Sequence, residues 1–371
     1  MKKIVISTLI LLLIIGICSC NQDTSVTSSK EIFKTDLNVS SIANPTNKEI
    51  NIKIPEQEIK YKMVDSHLHY LDFLQTSDGF GPLVKAMDAC GVEKAIVFGM
   101  PMAKQWDETM DIAPTYYLSN DSRCYYYPAT DYILAEELLA QPKDIQDRFY
   151  PFICGVNTND RFAVDHIRQA LNLYPDFWCG IGEIMSRHDD LTALTYGEAP
   201  HINSETFKAI FDLGAEYDLP VLVHHNITGQ NIDDVIYLDE LKEALAYNRN
   251  CKIIWAHMGI SRRVEIQDLA EIVDDLLKSN DNLYCDISWV VYDYYFLDGF
   301  PNNYPDSDDL DEWINLINKY PDRIMIGTDK VGHWETYPDE IVKYYTLLDR
   351  LNYEVANKIC KDNILSLINK K

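Results

Sequence analysis

The sequence predicts an α/β fold, a (β/α)8 TIM barrel built as a single domain, on three observations. Eight short apolar runs recur along the chain, separated by segments whose apolar residues repeat three and four apart. The runs are apolar on both faces, which is the pattern of a parallel sheet covered by helices. At 371 residues and 47% hydrophobic content, the chain is long enough to enclose one large core of this kind.

The first residues stand apart from that body. Lys2 and Lys3 precede a largely apolar run from Ile4 to Ile17. It is shorter than the ~20 residues a membrane span needs and suits a signal-peptide core. The run ends in Ile17-Cys18-Ser19-Cys20, which resembles the bacterial lipobox, with Ser19 as the small residue and Cys20 as the lipidated cysteine. Residues 1–19 are therefore read as a lipoprotein signal peptide. Residues 20–58, rich in Ser, Thr, Asn and Lys, are read as a flexible tether. The barrel is expected over 59–371. The resemblance implies a lipid anchor in the bacterial cell envelope.

The strand candidates are Lys62–His67, Lys94–Gly99, Tyr150–Val156, Trp178–Ile184, Pro220–His225, Lys252–His257, Leu283–Ser288 and Arg323–Thr328. Helical patterns between them include Pro82–Cys90, Ala163–Leu173, Glu205–Tyr217, Leu238–Tyr247 and Glu265–Lys278. Eight such units point to a closed barrel and not to an open sheet with one crevice. Long connections follow strand 2 (Met100 to Asp131), strand 4 (Met185 to Asn203) and strand 7 (Trp289 to Asp309). Their tyrosine runs, Tyr125-Tyr126-Tyr127 and Tyr292-Asp293-Tyr294-Tyr295, are expected to cover something.

The net charge of −25 argues against nucleic acid as a partner, because phosphate binding wants a basic stripe. A small-molecule substrate is expected instead. Beyond Cys18 and Cys20 the seven cysteines show no CxxC spacing, and several sit inside apolar runs, so structural disulfides are not expected.

The chemistry lies at the ends of the strands. His67 and His69 close strand 1, and residues two apart on an extended segment face the same way. His224 ends strand 5, His257 ends strand 6, Asp329 ends strand 8 and Glu183 lies near the end of strand 4. A barrel brings all these ends to one rim. Imidazole with carboxylate suits zinc, and also manganese, iron or nickel, so one or two divalent ions are expected, zinc first. Such an ion lowers the pKa of water to about 7. Asp329 is placed both to bind metal and to take a proton, and His257 to bind metal or to steady a developing oxyanion.

These residues resemble the amidohydrolase superfamily. Its first strand carries Asp-x-His-x-His, matched by Asp65, His67 and His69. Strands 5, 6 and 8 end in His224, in Ala256-His257-Met258-Gly259 and in Gly327-Thr328-Asp329. The run Ala89-Cys90-Gly91-Val92-Glu93-Lys94-Ala95 is similar to the decarboxylase-like amidohydrolase-2 subfamily. Gly182-Glu183-Ile184 resembles the TatD-type branch, whose strand-4 glutamate bridges two metals; the competing role for Glu183 is to support a ligand or to pair with Arg187. The resemblance implies a metal-dependent hydrolase acting on an ester, lactone, amide or related bond of a small substrate, which the aromatic loops predict to be hydrophobic or ring-containing. Nonoxidative decarboxylation is the alternative it allows.

Other residues carry expectations of their own. Asp65 is expected to orient a ligand histidine, with a strand-end hydrogen bond to backbone as the competing role. Arg187 is a candidate substrate clamp or a partner of an acid. His225 should point away from the metal, in a packing or supporting role. His188 and His333 are candidates to line the site, and Trp106, Trp289 and Trp334 to stack on a ring. Two other classes remain: a glycoside hydrolase using Glu183 and Asp286, and a non-catalytic ligand-binding lipoprotein.

Overall fold

Eight parallel strands, each followed by a helix, make up the body of the chain. The structure is a computed structural model and describes residues 50–118, 122–266, 268–289 and 307–368. The strands are β1 (Met63–Asp65), β2 (Val92–Val97), β3 (Phe149–Ile153), β4 (Gly180–Met185), β5 (Val221–His224), β6 (Ile253–Trp255), β7 (Leu283–Asp286) and β8 (Ile324–Met325). They lie side by side in chain order in one 8-stranded sheet, parallel throughout. The helix after each is α1 (Phe80–Cys90), α2 (Ala129–Leu139), α3 (Ala163–Leu173), α4 (Glu205–Tyr217), α5 (Leu238–Tyr247), α6 (Leu269–Ser279), α7 (Ser307–Lys319) and α8 (Tyr337–Lys343).

Local chemistry sets the ends of these elements. Ser204 caps α4 by accepting from the Phe207 N–H at 3.4 Å, and α3, α4 and α5 run where the apolar periodicity places them. Gly91 stops α1 in the left-handed region, φ 82°, where an added Cβ would meet Tyr61 O at 2.7 Å. Two starts differ from expectation. Helix α1 begins at Phe80, before Pro82, since proline suits the first turn of a helix. Helix α6 begins only at Leu269.

The sheet curls around an inner cluster in which Val64, Ile96, Phe152, Leu222, Ile254 and Met325 pack against Ile364 and Leu367 of the C-terminal segment. No ladder pairs β1 with β8 among the described residues. Their edges meet just beyond the strands: the Ser66 N–H donates to Ile326 O at 3.0 Å, and Leu68–His69 pairs in parallel with Lys330–Val331. Strand 1 is thus shorter than Lys62–His67, with its two histidines on the connecting segment.

The connection after β2 holds an antiparallel pair, Met102–Lys104 with Cys124–Tyr126. Tyr125 there is exposed. The tyrosines at 292–295 and the signal and lipobox at 1–20 lie outside the described residues, as does the tether up to residue 49. Cys90, Cys124, Cys154, Cys179, Cys251, Cys285 and Cys360 are all buried free thiols.

Candidate metal centre

Four histidines and two carboxylates converge at the C-terminal ends of the strands. His67 Nε2 lies 3.3 Å from Asp329 Oδ1 and 3.7 Å from Glu183 Oε2. His69 Nε2 lies 3.2 Å from Glu183 Oε2 and 3.3 Å from Asp329 Oδ1. His224 Nδ1 is 3.0 Å from Glu183 Oε1, and His257 Nε2 is 3.5 Å from Glu183 Oε1 and 3.7 Å from Asp329 Oδ2. The four histidines and Glu183 are buried.

Backbone geometry delivers these groups. The pairing of β4 with β5 slips between Ile181 and Ile184, a bulge that re-aims Glu183. Gly182 makes the bulge possible: its φ is +131°, and a Cβ would sit 2.3 Å from Leu222 O. His257 (φ 55°) and Asp329 (φ 52°) are held in the left-handed region, as is Trp289 (φ 52°) beside them. Such strain clusters where a side chain must be aimed.

The outer ring nitrogens fix which lone pair faces inward. His69 Nδ1 donates to Gly99 O at 2.8 Å, so Nε2 is the nitrogen that faces Glu183 and Asp329 and that would bind a metal once its proton is gone. His67 Nδ1 pairs with Asp286 Oδ2 at 3.1 Å, and its buried Nε2 makes no hydrogen bond. His257 Nδ1 meets Ser288 Oγ at 2.6 Å, and that hydroxyl donates a hydrogen bond to Asp286 Oδ1. His224 is reversed: its Nε2 meets Asn226 Oδ1 at 3.2 Å and Nδ1 faces Glu183. The Asn226 amide is oriented by its Nδ2 donating to Ile260 O at 2.5 Å.

This set suits a cation. The donor atoms form three overlapping groups, His67/His257/Asp329, His67/His69/Glu183 and Glu183/His224/His257, each with its atoms within 4.8 Å of one another. Glu183 turns Oε2 to His67 and His69 and Oε1 to His224 and His257. The electrostatics agree. Burial opposes charge on His67, yet Asp286, Glu183 and Asp329 hold its pKa well above the usual imidazole range. Burial likewise opposes charge on His69, but hydrogen bonds to Asp329 and Glu183 raise it to about 9. Burial pushes the Glu183 and Asp329 carboxyls up, and the histidines, His67 foremost, win and hold both below the carboxylate range. Protons on imidazole thus balance the carboxylates when no metal does. A divalent ion takes over that balance and needs those protons gone.

The sequence profile of a family described as amidohydrolase matches residues 64–369. The chain belongs to the amidohydrolase family. It is an enzyme of the amidohydrolase type. No curated protein matches it. Among solved structures, this amidohydrolase resembles an uncharacterised TIM-barrel protein from Bordetella bronchiseptica, at 15% identity and TM-score 0.51, over 83% of this chain and 98% of the other. A dihydroxybenzoic acid decarboxylase from Polaromonas, solved with manganese and 2-nitroresorcinol, matches at 14% identity and TM-score 0.51, over 83% of this chain and 97% of that one. A probable 2-pyrone-4,6-dicarboxylic acid hydrolase from Acinetobacter baumannii matches at 12% identity and TM-score 0.50, over 83% and 99%. At these identities the likeness is one of fold.

Around the cluster, Asp65, Arg187 and His225 of the amidohydrolase act on other partners. Asp65 does not reach a histidine ring. Its carboxylate accepts from the His67 N–H at 3.1 Å, the Thr328 N–H at 3.0 Å, the Thr328 hydroxyl at 2.7 Å and the Tyr337 hydroxyl at 2.9 Å. It ties β1 to β8, and burial lifts its pKa to about 6. Arg187 is spent on Glu240 at 2.7 Å and lies 3.6 Å over the Tyr237 ring, so it clamps nothing at the histidines. His225 points away from the cluster, to Ser186 Oγ at 3.1 Å and Tyr237 O at 3.2 Å. Asp286, Ser288 and Asn226 do the orienting, and Glu183 and Asp286, the pair considered for a glycoside hydrolase, both lie against these histidines.

Phe73, Tyr117, Leu118, His188 and Trp289 wall a cavity of about 30 Å³ over the cluster. That is room for a water or an ion. Trp334 is buried, with Nε1 donating to Gly79 O at 3.0 Å, Trp106 is exposed, and His333 is held between Asp72 and Asp78 at 3.2 Å each.

Proposed function

We propose that this amidohydrolase is a metal-dependent hydrolase that cleaves an ester, lactone, amide or related bond of a small ring-containing substrate. The observation that carries the reading is the inward convergence of His67, His69, His257 and His224 on Glu183 and Asp329, with the His67 Nε2 buried, facing both carboxylates and making no hydrogen bond. The six side chains would hold one or two divalent ions, zinc first, with Glu183 as the bridge. The metal supplies Lewis acidity and a water pKa near 7. Asp329, its carboxylate held ionised, accepts the proton of the attacking water and returns it to the leaving group. His257 Nε2, where it is not a ligand, steadies the charge that develops on the substrate oxygen. Asp286 and Ser288 keep the His67 and His257 rings in register throughout.

Nonoxidative decarboxylation uses the same donors, with Asp329 delivering a proton to carbon, and it stays as the second reading, with a dihydroxybenzoic acid decarboxylase among the proteins of similar fold. Full closure of the barrel belongs to the proposal too, supported by the bonds that join Ser66 to Ile326 and Leu68–His69 to Lys330–Val331. So does attachment to the cell envelope through Cys20, which rests on the lipobox-like run alone.

One experiment separates the readings. The purified protein is analysed for metal, stripped with a chelator, reloaded, and assayed on ester, lactone and amide panels with released carbon dioxide monitored in parallel. Metal-dependent cleavage without carbon dioxide supports hydrolysis. Metal-dependent carbon dioxide release moves the assignment to decarboxylation, and turnover indifferent to metal overturns both.

A further inference from the structure

Beyond the metal cavity lies a second one of about 200 Å³, built from the connections that follow β4 and β5. His188 lines both cavities and places them side by side. Its ring is fixed on two sides. Nδ1 accepts the N–H of Asp190 at 3.1 Å and of Leu191 at 3.2 Å, and one face stacks on His224 with centroids 4.3 Å apart. Two N–H donors on Nδ1 place the ring proton on Nε2.

Three of the polar walls are engaged within the protein. Arg187 is neutralised by Glu240, Asp189 accepts from Ser261, and Asn226 is held by His224 and Ile260. Thr228 differs. It is 1% exposed, it borders the chamber, and its hydroxyl finds no hydrogen-bond partner among the described residues. A buried hydroxyl left in that state costs about 1–3 kcal/mol, so an occupant with a matching group is favoured. Ala193, Ala199 and Tyr237 supply apolar wall. A cavity of ~150 Å³ takes benzene, so this one has room for a single six-membered ring and a substituent.

The geometry points to a substrate subsite: the chamber behind His188 binds the neutral ring of the substrate, with one hydrogen-bonding substituent on the Thr228 hydroxyl, while the bond to be cleaved lies at the metal cluster. An anionic ring is disfavoured because the one cation in the wall, Arg187, is already matched. The inference rests on the proposed hydrolase reading for its chemistry, but its test needs no turnover.

Phenol and toluene have the same shape and differ in one hydroxyl, and each is titrated into the metal-loaded protein by NMR. The Ala199 methyl signal reports occupancy of the chamber. The preference for phenol over toluene is expected to fall about fivefold in Thr228→Val and to survive in Thr228→Ser. Ala199→Leu, which adds bulk to the wall of the chamber, should abolish binding of both probes. An unchanged preference in Thr228→Val, or probes that leave the Ala199 methyl unmoved, overturns the subsite. Loss of hydrolysis with these binding results intact would instead overturn the catalytic reading alone.

Discussion

Replacing Asp286 with Asn tests the orienting shell at a single atom. Oδ1 of Asp286 accepts from the His257 N–H and the Ser288 N–H, both at 3.1 Å, and from the Ser288 hydroxyl. Oδ2 alone serves His67 Nδ1, also at 3.1 Å. Three donors therefore hold the oxygen of an asparagine in the Oδ1 position and turn its NH₂ toward His67 Nδ1. That nitrogen must then accept, and the ring proton moves to Nε2, the atom that faces the cluster. One metal ligand is lost together with a charge-assisted hydrogen bond worth about 1.5–3 kcal/mol. Metal affinity should fall by about 10–100-fold, the range seen when the outer partner of a ligating histidine is removed. Competition against a chromophoric chelator at fixed pH measures it. An affinity within twofold of wild type would refute the assignment of Asp286 as the residue that sets the His67 tautomer.

Four further outcomes are expected. Glu183→Gln should lower bound metal from two ions toward one by elemental analysis, because a carboxamide cannot bridge as a carboxylate does; an unchanged ratio argues against a bridge. His69 is raised to about 9 when folded and metal-free, against about 6.5 unfolded. Its stabilising contribution, up to about 3 kcal/mol, is full below pH 6.5 and is lost as pH rises through 9. Urea titration of the stripped protein should show that decline, while metal affinity rises over the same interval as the proton leaves. Asp65→Asn should destabilise by on the order of 3 kcal/mol, since four donors converge on that carboxylate; a melting temperature unchanged at pH 7 would remove it as the tie between β1 and β8. Gly182→Ala should abolish metal binding or folding, as its Cβ meets the Leu222 carbonyl; ordinary metal content in a soluble variant would show that the bulge relaxes.

Much of the sheet and the inner ligands was legible because both follow short-range rules. A strand buried on both faces advertises itself as an apolar run, and a ligand at a strand end sits beside that run in sequence. His67, His69, His224 and His257 could therefore be read as a set. What surrounds them could not, because its partners are remote. Asp286 finds His67 across 219 positions and Asp65 finds Thr328 across 263, so nothing local distinguishes the acid that orients a histidine from the acid that ties two strands. Glu183 lay within reach of a motif, but its direction depends on the β4 bulge. The aromatic loops misled in part. Tyr125 faces solvent, whereas Tyr117, from the same connection, walls the cavity. The connection after β5, which carries Asn226 and Thr228, has no aromatic run to mark it.

The most direct measurement is a crystal structure of the metal-loaded protein with data collected at the absorption edge of the bound metal. An anomalous peak enclosed by His67, His69, His224, His257, Glu183 and Asp329 is predicted, split in two where Glu183 bridges. A protein that turns over substrate with no peak among those six side chains would contradict the assignment of the centre.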